Sequence, residues 1–197
     1  YARNPEQVIN FYNERRKQLL DVVPNAGHLG VADLERDFNV TVVTQNVDNL
    51  HERAGSTHVI HLHGELTKVC SSRDPYNPHF VKELAPEEYE VKLGDKAGDG
   101  TQLRPFIVWF GESVPEIETA IRYVEQADIF VIIGTSLNVY PAAGLLNYVP
   151  RAAEVYLIDP KPVDTHVMRP IHVIQKGASE GVKELKALLT VTQPPLP

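Results

Sequence analysis

The sequence lacks the features that mark most secreted, membrane-spanning or nucleic-acid-binding proteins. It contains one cysteine, Cys70, which excludes an internal disulfide framework and favours a reducing compartment. No apolar run approaches the ~20 residues of a membrane span, and the polar start does not resemble a signal peptide. The net charge of -7 argues against a nucleic-acid groove. We therefore expect a cytoplasmic protein that binds neither nucleic acid nor membrane.

The front of the chain also lacks a glycine-rich phosphate loop. Asn4, Pro5 and Glu6 are typical of a helix N-terminus, as an N-cap residue, a first-turn proline and a first-turn acid. They predict a helix that continues to about Leu20. A dinucleotide-binding fold carries the phosphate loop in its first βα turn, with the pyrophosphate at the helix N-terminus. We therefore expect these residues to be a fragment of a longer protein.

The most informative stretch runs from Val40 to Leu66. Its β-branched runs, VTVVT and VIHLH, predict two short strands, and a polar segment begins where the first strand ends. An open α/β sheet places its ligand at such a strand end. Within the segment, Leu50 to Ala54 predict one or two helical turns closed by Gly55.

Polar and titratable groups gather at the ends of these two strands. They are Gln45, Asn46 and Asp48 after the first strand and His63 in the second. Alternation places His61 and His63 on one face of the second strand, and Gly64 lets the chain turn after His63. An imidazole beside an amide and a carboxylate is typical of acid/base chemistry. Ordinary turn residues and a structural histidine would give the same pattern.

The string TQNVDNLHERAG, followed by HLHGEL, closely resembles the sirtuins, the NAD-dependent protein-lysine deacylases. The resemblance implies that Gln45, Asn46, Val47 and Asp48 contact NAD, and that Asn46 and Asp48 hold its ribose and nicotinamide in a reactive pose. It implies a mechanism in which the acyl oxygen of a modified lysine attacks the ribose carbon bearing nicotinamide, and His63 removes a ribose hydroxyl proton. NAD is then a consumed co-substrate, and the products are nicotinamide and O-acyl-ADP-ribose. Sirtuins also have an early Gly-Ala-Gly loop and a Phe-Arg segment, and neither occurs here.

The first helix has an arginine on an otherwise apolar stripe. At spacings of four, three and four, the stripe consists of Val8, Tyr12, Arg15 and Leu19. Arg16 and Lys17 project away from it and are predicted to be solvated. The Tyr-x-x-Arg pattern, extended by FYNERRKQL, resembles the pair with which desuccinylase-type sirtuins select acidic acyl groups such as succinyl and malonyl. A snorkelling arginine that keeps its guanidinium in water is the alternative.

The segment RPFIVWFGE, Arg104 to Glu112, predicts a strand that ends in a Gly-Glu turn. One interpretation makes Ile107 to Phe110 core residues. Sirtuins use the same Val-Trp-Phe-Gly-Glu sequence as an edge that binds the substrate peptide by strand addition, while its apolar side chains line an acyl-lysine tunnel. The substrate contacts that this implies are Val108, Phe110, Gly111 and Glu112.

Two later strands complete the predicted NAD site. Ile129 to Ile133 is a continuous apolar run of the kind buried on both faces of a parallel sheet, and Glu154 to Ile158 is the next strand. GTSLNVYPAAG resembles a sirtuin NAD segment, although an ordinary βα loop would look similar. The NAD contacts implied on this side are Gly134, Thr135, Ser136, Asp159, Pro160, Lys161 and Ala178. Asp159 stands where the family usually has Asn, so its ribose contact can accept a hydrogen bond but not donate one.

Taken together, the elements predict an α/β fold with a Rossmann-like parallel sheet flanked by helices. The further helices expected are Asn25 to Phe38, with Leu29, Ala32 and Leu34 buried, then Val114 to Ala127, and finally Ser179 to Leu189. Residues 67–103, where Pro and Gly interrupt the periodicity, predict a small subdomain. Residues 1–66 and 104–197 are expected to form the NAD- and substrate-binding domain.

Most sirtuins bind a structural zinc in that subdomain through two pairs of cysteines. This chain offers only Cys70, and Asp74 and His79 could join it only at a spacing that matches no standard zinc site. We therefore predict no metal. The resemblance implies acylated lysine side chains of proteins as substrates, and two alternatives stay open: an NAD hydrolase and a non-catalytic NAD-binding module of the same fold.

Overall fold

The computed structural model describes residues 3–134, 142–163 and 168–191. Its α-helices are α1 Pro5–Leu19, α2 Ala26–Asp33, α3 Leu50–Arg53, α4 Ile117–Val124, α5 Ala142–Leu145 and α6 Ala178–Val191. Its strands are β1 Val42–Thr44, β2 Val59–His61, β3 Gly64–Ser71, β4 Val81–Glu83, β5 Leu103–Ile107, β6 Ile129–Ile133, β7 Glu154–Ile158 and β8 His172–Ile174. None of the helices in the described ranges is long and apolar enough to cross a membrane.

The chain divides into two compact units, each made of several stretches of sequence. The first comprises residues 1–23, 43–50 and 61–115, and the second comprises residues 24–42, 51–60 and 116–197. We call the first the antiparallel unit, because its sheet has the order β4-β3-β5 with both pairs antiparallel. We call the second the parallel unit, because its sheet has the order β6-β7-β8 with both pairs parallel.

The antiparallel unit has a small apolar core. Among the described residues, one cluster of it contains the buried Ile9, Val69 and Val91, with the partly buried Leu84 and Leu103 packed against them. Strand β5 starts one residue before Arg104 and ends at Ile107, so the predicted strand over residues 104–112 is wrong in its second half, where the chain turns instead. Gly111, with φ +87°, allows that turn.

A buried arginine connects α1 to the rest of the antiparallel unit. Arg16 is 4% exposed, and its Nε donates to the Tyr89 carbonyl at 2.8 Å and its Nη2 to Asn13 Oδ1 at 2.7 Å. Asn13 in turn donates to the Val91 carbonyl and accepts from the Val91 amide. The prediction that Arg16 is solvated is therefore wrong. Irregular backbone around residues 89–91 leaves carbonyls that need donors, and the helix supplies them.

The parallel unit has a larger and continuous apolar core. Its buried members are Leu34, Tyr156, Ile158, Ile174, Val182, Leu185 and Leu189. Strands β6 and β7 have the predicted bounds, which confirms the predicted α/β class with a parallel sheet. Burial on both faces holds for β7 but is wrong for β6, because β6 is an edge strand in the described part of the sheet and only Ile132 is buried.

Helices α2 and α4 of the parallel unit are shorter than predicted, whereas α6 extends beyond both ends of its predicted span. Asn25 caps α2 as predicted, with its side chain accepting from the His28 amide while the His28 ring accepts from the Asn25 amide. The α-helix ends at Asp33, and Leu34 is buried as predicted. Leu29 is 52% exposed, so its predicted burial is wrong. Helix α4 covers only the middle of the predicted span, since Pro115 precedes it as an initiator rather than an interior residue.

Candidate active site

The first part of the site follows the short pair β1 and β2. The Val42 amide donates to the His58 carbonyl at 3.0 Å, and the Leu62 amide donates to the Thr44 carbonyl at 2.9 Å. These bonds advance in the same direction along both strands, so the pair is parallel. The turn over 50–53 forms as predicted, and Gly55 closes it with φ +110°.

Backbone hydrogen bonds hold the polar loop after β1 in place. Thr44 Oγ1 accepts from the Asn46 amide at 3.0 Å, and Asp48 Oδ1 accepts from the Leu50 amide at 3.0 Å. The Val47 carbonyl accepts from the Leu66 amide at 2.8 Å. Asp48 therefore uses one carboxylate oxygen to cap the following turn, while Asn46 stays exposed.

Two polar atoms of this loop have no hydrogen-bond partner within the described residues. Gln45 Nε2 and Asn49 Oδ1 are both shielded from solvent, one a donor and the other an acceptor. Buried polar groups are rarely left unpaired, because the lost hydration costs about 1 to 3 kcal/mol each. Such atoms need hydroxyl or carboxamide partners, and the nicotinamide ribose of the predicted NAD carries both kinds of group. Asn49 was not predicted as a site residue.

The two histidines of the second strand have different environments. His61 is 8% exposed, and its Nδ1 lies 3.0 Å from the Asn46 carbonyl. Since a carbonyl can only accept, Nδ1 carries the proton in this pair. His61 therefore fixes the loop and is a residue that the sequence did not identify as functional. His63 is half-buried, which keeps its imidazole partly accessible.

Backbone contacts place His63 beside the predicted substrate segment. The Val108 amide donates to the His63 carbonyl at 2.9 Å. The next residue, Gly64, has φ +90°, and a Cβ there would lie 2.1 Å from the Phe106 carbonyl oxygen. Only glycine fits this close approach of β3 and β5. His63 and Val108 thus lie side by side, as a base and a substrate contact would require.

An ion pair shapes the turn that follows Val108. The guanidinium of Arg104 donates to both carboxylate oxygens of Glu112, at 3.1 and 3.0 Å, and to the Ile107 carbonyl at 2.7 Å. The Trp109 amide donates to the same carboxylate at 2.7 Å. Burial alone would raise the pKa of Glu112, but the hydrogen bonds from Arg104 and from the Trp109 amide lower it below its usual value. Glu112 therefore has a role in holding the turn, which the sequence did not predict.

The exposed tip of the turn is apolar. Phe110 is fully exposed, so the interpretation of residues 107–110 as core is wrong for Phe110 and correct for Ile107, which is 8% exposed. Val108 and Trp109 are half-buried. The exposed Phe110 side chain is two residues from Val108, which contacts His63. Phe110 is therefore available for contact with a substrate.

The predicted acyl-selecting pair on α1 lies in the same unit. Tyr12 is half-buried, and its hydroxyl accepts a hydrogen bond from Trp109 Nε1 at 3.1 Å. Arg15 is exposed, and its guanidinium lies 5.4 Å from the centre of the Phe11 ring. The sequence did not predict that Trp109 would contact α1.

The remaining predicted NAD residues belong to the parallel unit. Gly134 has φ +66° and donates its amide to the Ile158 carbonyl at 3.2 Å. The Asp159 carboxylate accepts from the Lys161 amide at 2.8 Å, which fixes the turn after β7. The other predicted contacts are Pro160, which is exposed, and Ala178, which begins α6. Thr135 and Ser136 lie outside the described residues.

The side chains considered for a metal are not arranged as a site. Cys70 is 0% exposed, and burial raises the pKa of its thiol to about 11. Its Sγ lies 3.7 Å from the Pro105 carbonyl, as a neutral donor would. Asp74 and His79 are exposed, and the Asp74 carboxylate accepts from the Asn77 side chain. Cys70 thus behaves as a core residue.

The sequence and the fold are similar to those of known proteins. A family model described as the Sir2 family matches residues 1–141. A protein of Bacteroides thetaiotaomicron named NAD-dependent protein deacylase is 82% identical over 189 residues, which cover 96% of this chain and 81% of that protein. A solved Sir2 homologue–NAD complex is similar at 36% identity and a TM-score of 0.81, covering 97% of this chain and 74% of that one. A mutant Sir2 homologue with 2′-O-acetyl-ADP-ribose is similar at 35% identity and a TM-score of 0.81, covering 100% and 79%.

Proposed function

The chain belongs to the Sir2 family, the sirtuins, and from this membership we infer that it is an NAD-dependent protein deacylase that removes acyl groups from lysine side chains. The observation that carries this conclusion is the 82% identity to a protein deacylase over nearly the whole chain. Four of the positions that resemble the sirtuin site occur together in the antiparallel unit: His63, Asn46, Asp48 and Val108.

We propose that these residues have separate roles in the reaction. NAD, when bound, supplies the ribose carbon that accepts the acyl oxygen and releases nicotinamide. The imidazole of His63 then takes a proton from a ribose hydroxyl, and its half-buried position beside Val108 supports this role. Asn46 and Asp48 orient the ribose. The unpaired side-chain amide of Gln45 and the backbone of Val47 make further contacts with NAD.

The other NAD contacts that we propose lie in the parallel unit. They are Gly134, Thr135, Ser136, Asp159, Pro160, Lys161 and Ala178. The Lys161 amide already occupies one Asp159 oxygen, which leaves the second oxygen as an acceptor for a ribose hydroxyl.

We propose that the enzyme prefers acidic acyl groups. Tyr12 and Arg15 are one helical turn apart on α1, so a phenol and a guanidinium can meet the same carboxylate. Val108, Phe110 and Gly111 would form the remaining substrate contacts, and the exposed Phe110 supports this assignment.

We also propose that residues 67–103 form a small subdomain without zinc in a cytoplasmic enzyme. The neutral, buried Cys70 thiol supports both statements, because zinc needs a thiolate and a free thiol persists in a reducing compartment. Elemental analysis should find no stoichiometric zinc. One zinc per chain would overturn this part of the proposal.

One assay tests the function. Nicotinamide release is measured with NAD alone and with peptides that carry unmodified, acetylated, succinylated or malonylated lysine. We expect release that depends on the acylated peptide and is fastest with the acidic acyl groups. Release without any peptide would identify an NAD hydrolase, and no release would identify a binding module.

Arg15→Met tests the acyl preference, because it keeps the length of the side chain and deletes its charge. A charge-assisted contact contributes roughly 1.5 to 3 kcal/mol, so desuccinylation should fall about ten- to a hundredfold more than deacetylation. Lys17→Met is the matched control, since Lys17 is exposed on the same helix. Equal loss of both activities would show that Arg15 does not select the acyl group.

A further inference from the structure

The contact between Trp109 and Tyr12 joins two parts of the chain that are 97 residues apart. Trp109 lies in the turn after β5, next to the substrate contacts Val108 and Phe110. Tyr12 lies on α1, one turn before Arg15. The bond therefore connects the segment proposed to hold the substrate peptide with the residues proposed to select its acyl group.

The chemistry of the two groups fixes the direction of this hydrogen bond. An indole N–H can only donate, whereas a phenol can donate one proton and accept others. Trp109 Nε1 is therefore the donor, and the Tyr12 oxygen is the acceptor. The phenol keeps its own proton, and none of the described residues accepts it in a hydrogen bond. Tyr12 is thus prepared to donate to a ligand.

Trp109 is itself held rigidly. The guanidinium of Arg104 stacks 3.8 Å above the centre of its ring, and the Glu112 carboxylate accepts from its backbone amide at 2.7 Å. Arg104 and Glu112 are paired through two hydrogen bonds, so ring and backbone are fixed by one cluster. The indole N–H consequently points to a defined position.

Arg15 has no comparable support. Its side chain is exposed, and it contacts the Phe11 ring on its own helix. Of the two acyl-selecting residues, Tyr12 has a fixed position before a ligand binds, and Arg15 is an exposed side chain whose ordering costs rotamer entropy.

We propose that Trp109 is a specificity-determining positioning residue: its Nε1–H orients the Tyr12 hydroxyl so that the phenol donates to the terminal carboxylate of a succinyl or malonyl group. This inference rests on the proposed deacylase function and on the proposed preference for acidic acyl groups. It assigns to Trp109 a part in selecting the acyl group, separate from the peptide contacts of its neighbours.

Trp109→Phe is the variant that tests the proposal. It keeps an aromatic ring under Arg104 and the backbone bond to Glu112, and it deletes the N–H. Because one hydrogen bond is involved, the ratio of kcat/KM for succinyl-lysine over acetyl-lysine peptide should fall about three- to tenfold, mainly through KM for the succinylated peptide. An unchanged ratio would overturn the proposal.

A double-mutant cycle with Tyr12→Phe excludes a merely structural effect. Once the Tyr12 hydroxyl is gone, Trp109→Phe should lower the ratio no further, since the two residues act as a unit. Losses that multiply would show that Trp109 acts independently of Tyr12, which would overturn the proposal.

Fluorescence provides a second measurement that does not need the Trp109 variant to fold. Trp109 is the sole tryptophan of the sequence, so the tryptophan emission reports the surroundings of this indole, including its bond to Tyr12. Tyr12→Phe should shift the emission to shorter wavelength, and succinyl-lysine peptide should change the wild-type emission more than acetyl-lysine peptide does. Identical emission from wild type and Tyr12→Phe would contradict the bond.

The activities of the wild-type enzyme on succinyl-lysine and acetyl-lysine peptides show which of the proposals has failed. If it prefers succinyl-lysine and Trp109→Phe keeps that preference, only the role of Trp109 is wrong. If the wild type deacylates without preferring acidic groups, the acyl preference is wrong and the role of Trp109 with it. If it does not deacylate at all, the proposed function itself is wrong.

Discussion

The two units of this protein are stabilised in different ways. In the parallel unit, seven buried residues from α6, β7, β8 and the end of α2 form one apolar cluster. In the antiparallel unit one apolar cluster of the described residues has three buried members, and polar contacts connect parts of the unit: Arg16 with the Tyr89 carbonyl, Arg104 with Glu112, and Ser71 with Thr101.

The difference shows where directional contacts are used in this fold. Apolar packing depends on area and volume and tolerates small changes in angle, whereas a hydrogen-bonded ion pair fixes both distance and direction. The proposed base His63 and the proposed acyl-selecting residues Tyr12 and Arg15 all lie in the antiparallel unit, where hydrogen bonds fix the direction of the Tyr12 contact. The four predictions below test this contrast, from the largest expected effect to the smallest.

His63→Ala should separate activity from stability most strongly. Loss of a general base typically reduces the rate by ~10²- to 10⁴-fold, while the half-buried side chain contributes little to folding. The assay is peptide-dependent nicotinamide release, together with the free energy of unfolding in urea. His79→Ala is the matched control, since His79 is an exposed histidine of the same unit. Wild-type turnover in His63→Ala would remove His63 from the mechanism.

Leu185→Ala should show that packing stabilises the parallel unit. Leu185 is 1% exposed, and such a truncation costs about 2 to 5 kcal/mol in free energy of unfolding. Leu188→Ala, three residues later on the same helix and 43% exposed, should cost about 1 kcal/mol or less. Equal losses in urea denaturation would mean that the cluster does not dominate the stability of this unit.

Arg16→Met should show the corresponding dependence on polar contacts in the antiparallel unit. The change preserves volume but leaves the Tyr89 carbonyl and one Asn13 contact without a donor, which costs roughly 2 to 3 kcal/mol. Burial lowers the pKa of Arg16 to about 10, so the group is charged at neutral pH. Lys17→Met, an exposed neighbour, serves as control. A fully stable Arg16→Met protein would contradict the contrast between the units.

Glu112→Gln adds a dependence on pH. The pKa of Glu112 is lower in the folded protein than its ordinary value of 4.5, so its contribution to stability is present above pH 4.5 and is lost as the pH falls through the lowered pKa. Because the carboxylate is 28% exposed, we expect a loss of about 1 to 2 kcal/mol at pH 7, shrinking towards zero in acid. Thermal melts of both proteins between pH 3 and 7 measure this. A constant difference in Tm would exclude the ion pair as its source.

The sequence predicted those elements whose identity is local. The runs IFVII and EVYLI are contiguous apolar segments between turn residues, and their bounds as β6 and β7 are correct. Strand β8 was missed because three residues, His172–Ile174, give no period, and only its pairing with β7 makes it a strand. Strand β3 was also not predicted, since its pairing with β4 and β5 defines it.

Long-range polar contacts could not be predicted from one sequence. Arg15 and Arg16 are adjacent, and helical periodicity allows either stripe to face inward. The choice depends on the Tyr89 carbonyl, 73 residues away. The candidate site residues of the loop and strand ends were predicted from their motif, whereas the contacts of Trp109 and His61 were not predicted because their partners are distant in the sequence. An arginine within the apolar run RPFIVWF could have indicated the pair of Arg104 with Glu112, because a buried charge needs a partner.

The irregular pairing of β3 and β5 has a consequence for how this region tolerates changes in length. Gly64 lies opposite Ile107, and Val69 opposite Pro105, so the register shifts between the two pairs. Before the shift, Gly64 joins the strands so closely that any side chain would collide with the Phe106 carbonyl. After the shift, the pairing is set separately by residues 69–71 with 103–105. The connection over residues 72–102 lies beyond this second pairing, so insertions or deletions there leave Gly64 opposite Ile107 and leave the Val108 amide bonded to the His63 carbonyl. A change of length over residues 72–102 should therefore disturb the contact between His63 and Val108 less than a change of length anywhere between residues 64 and 71.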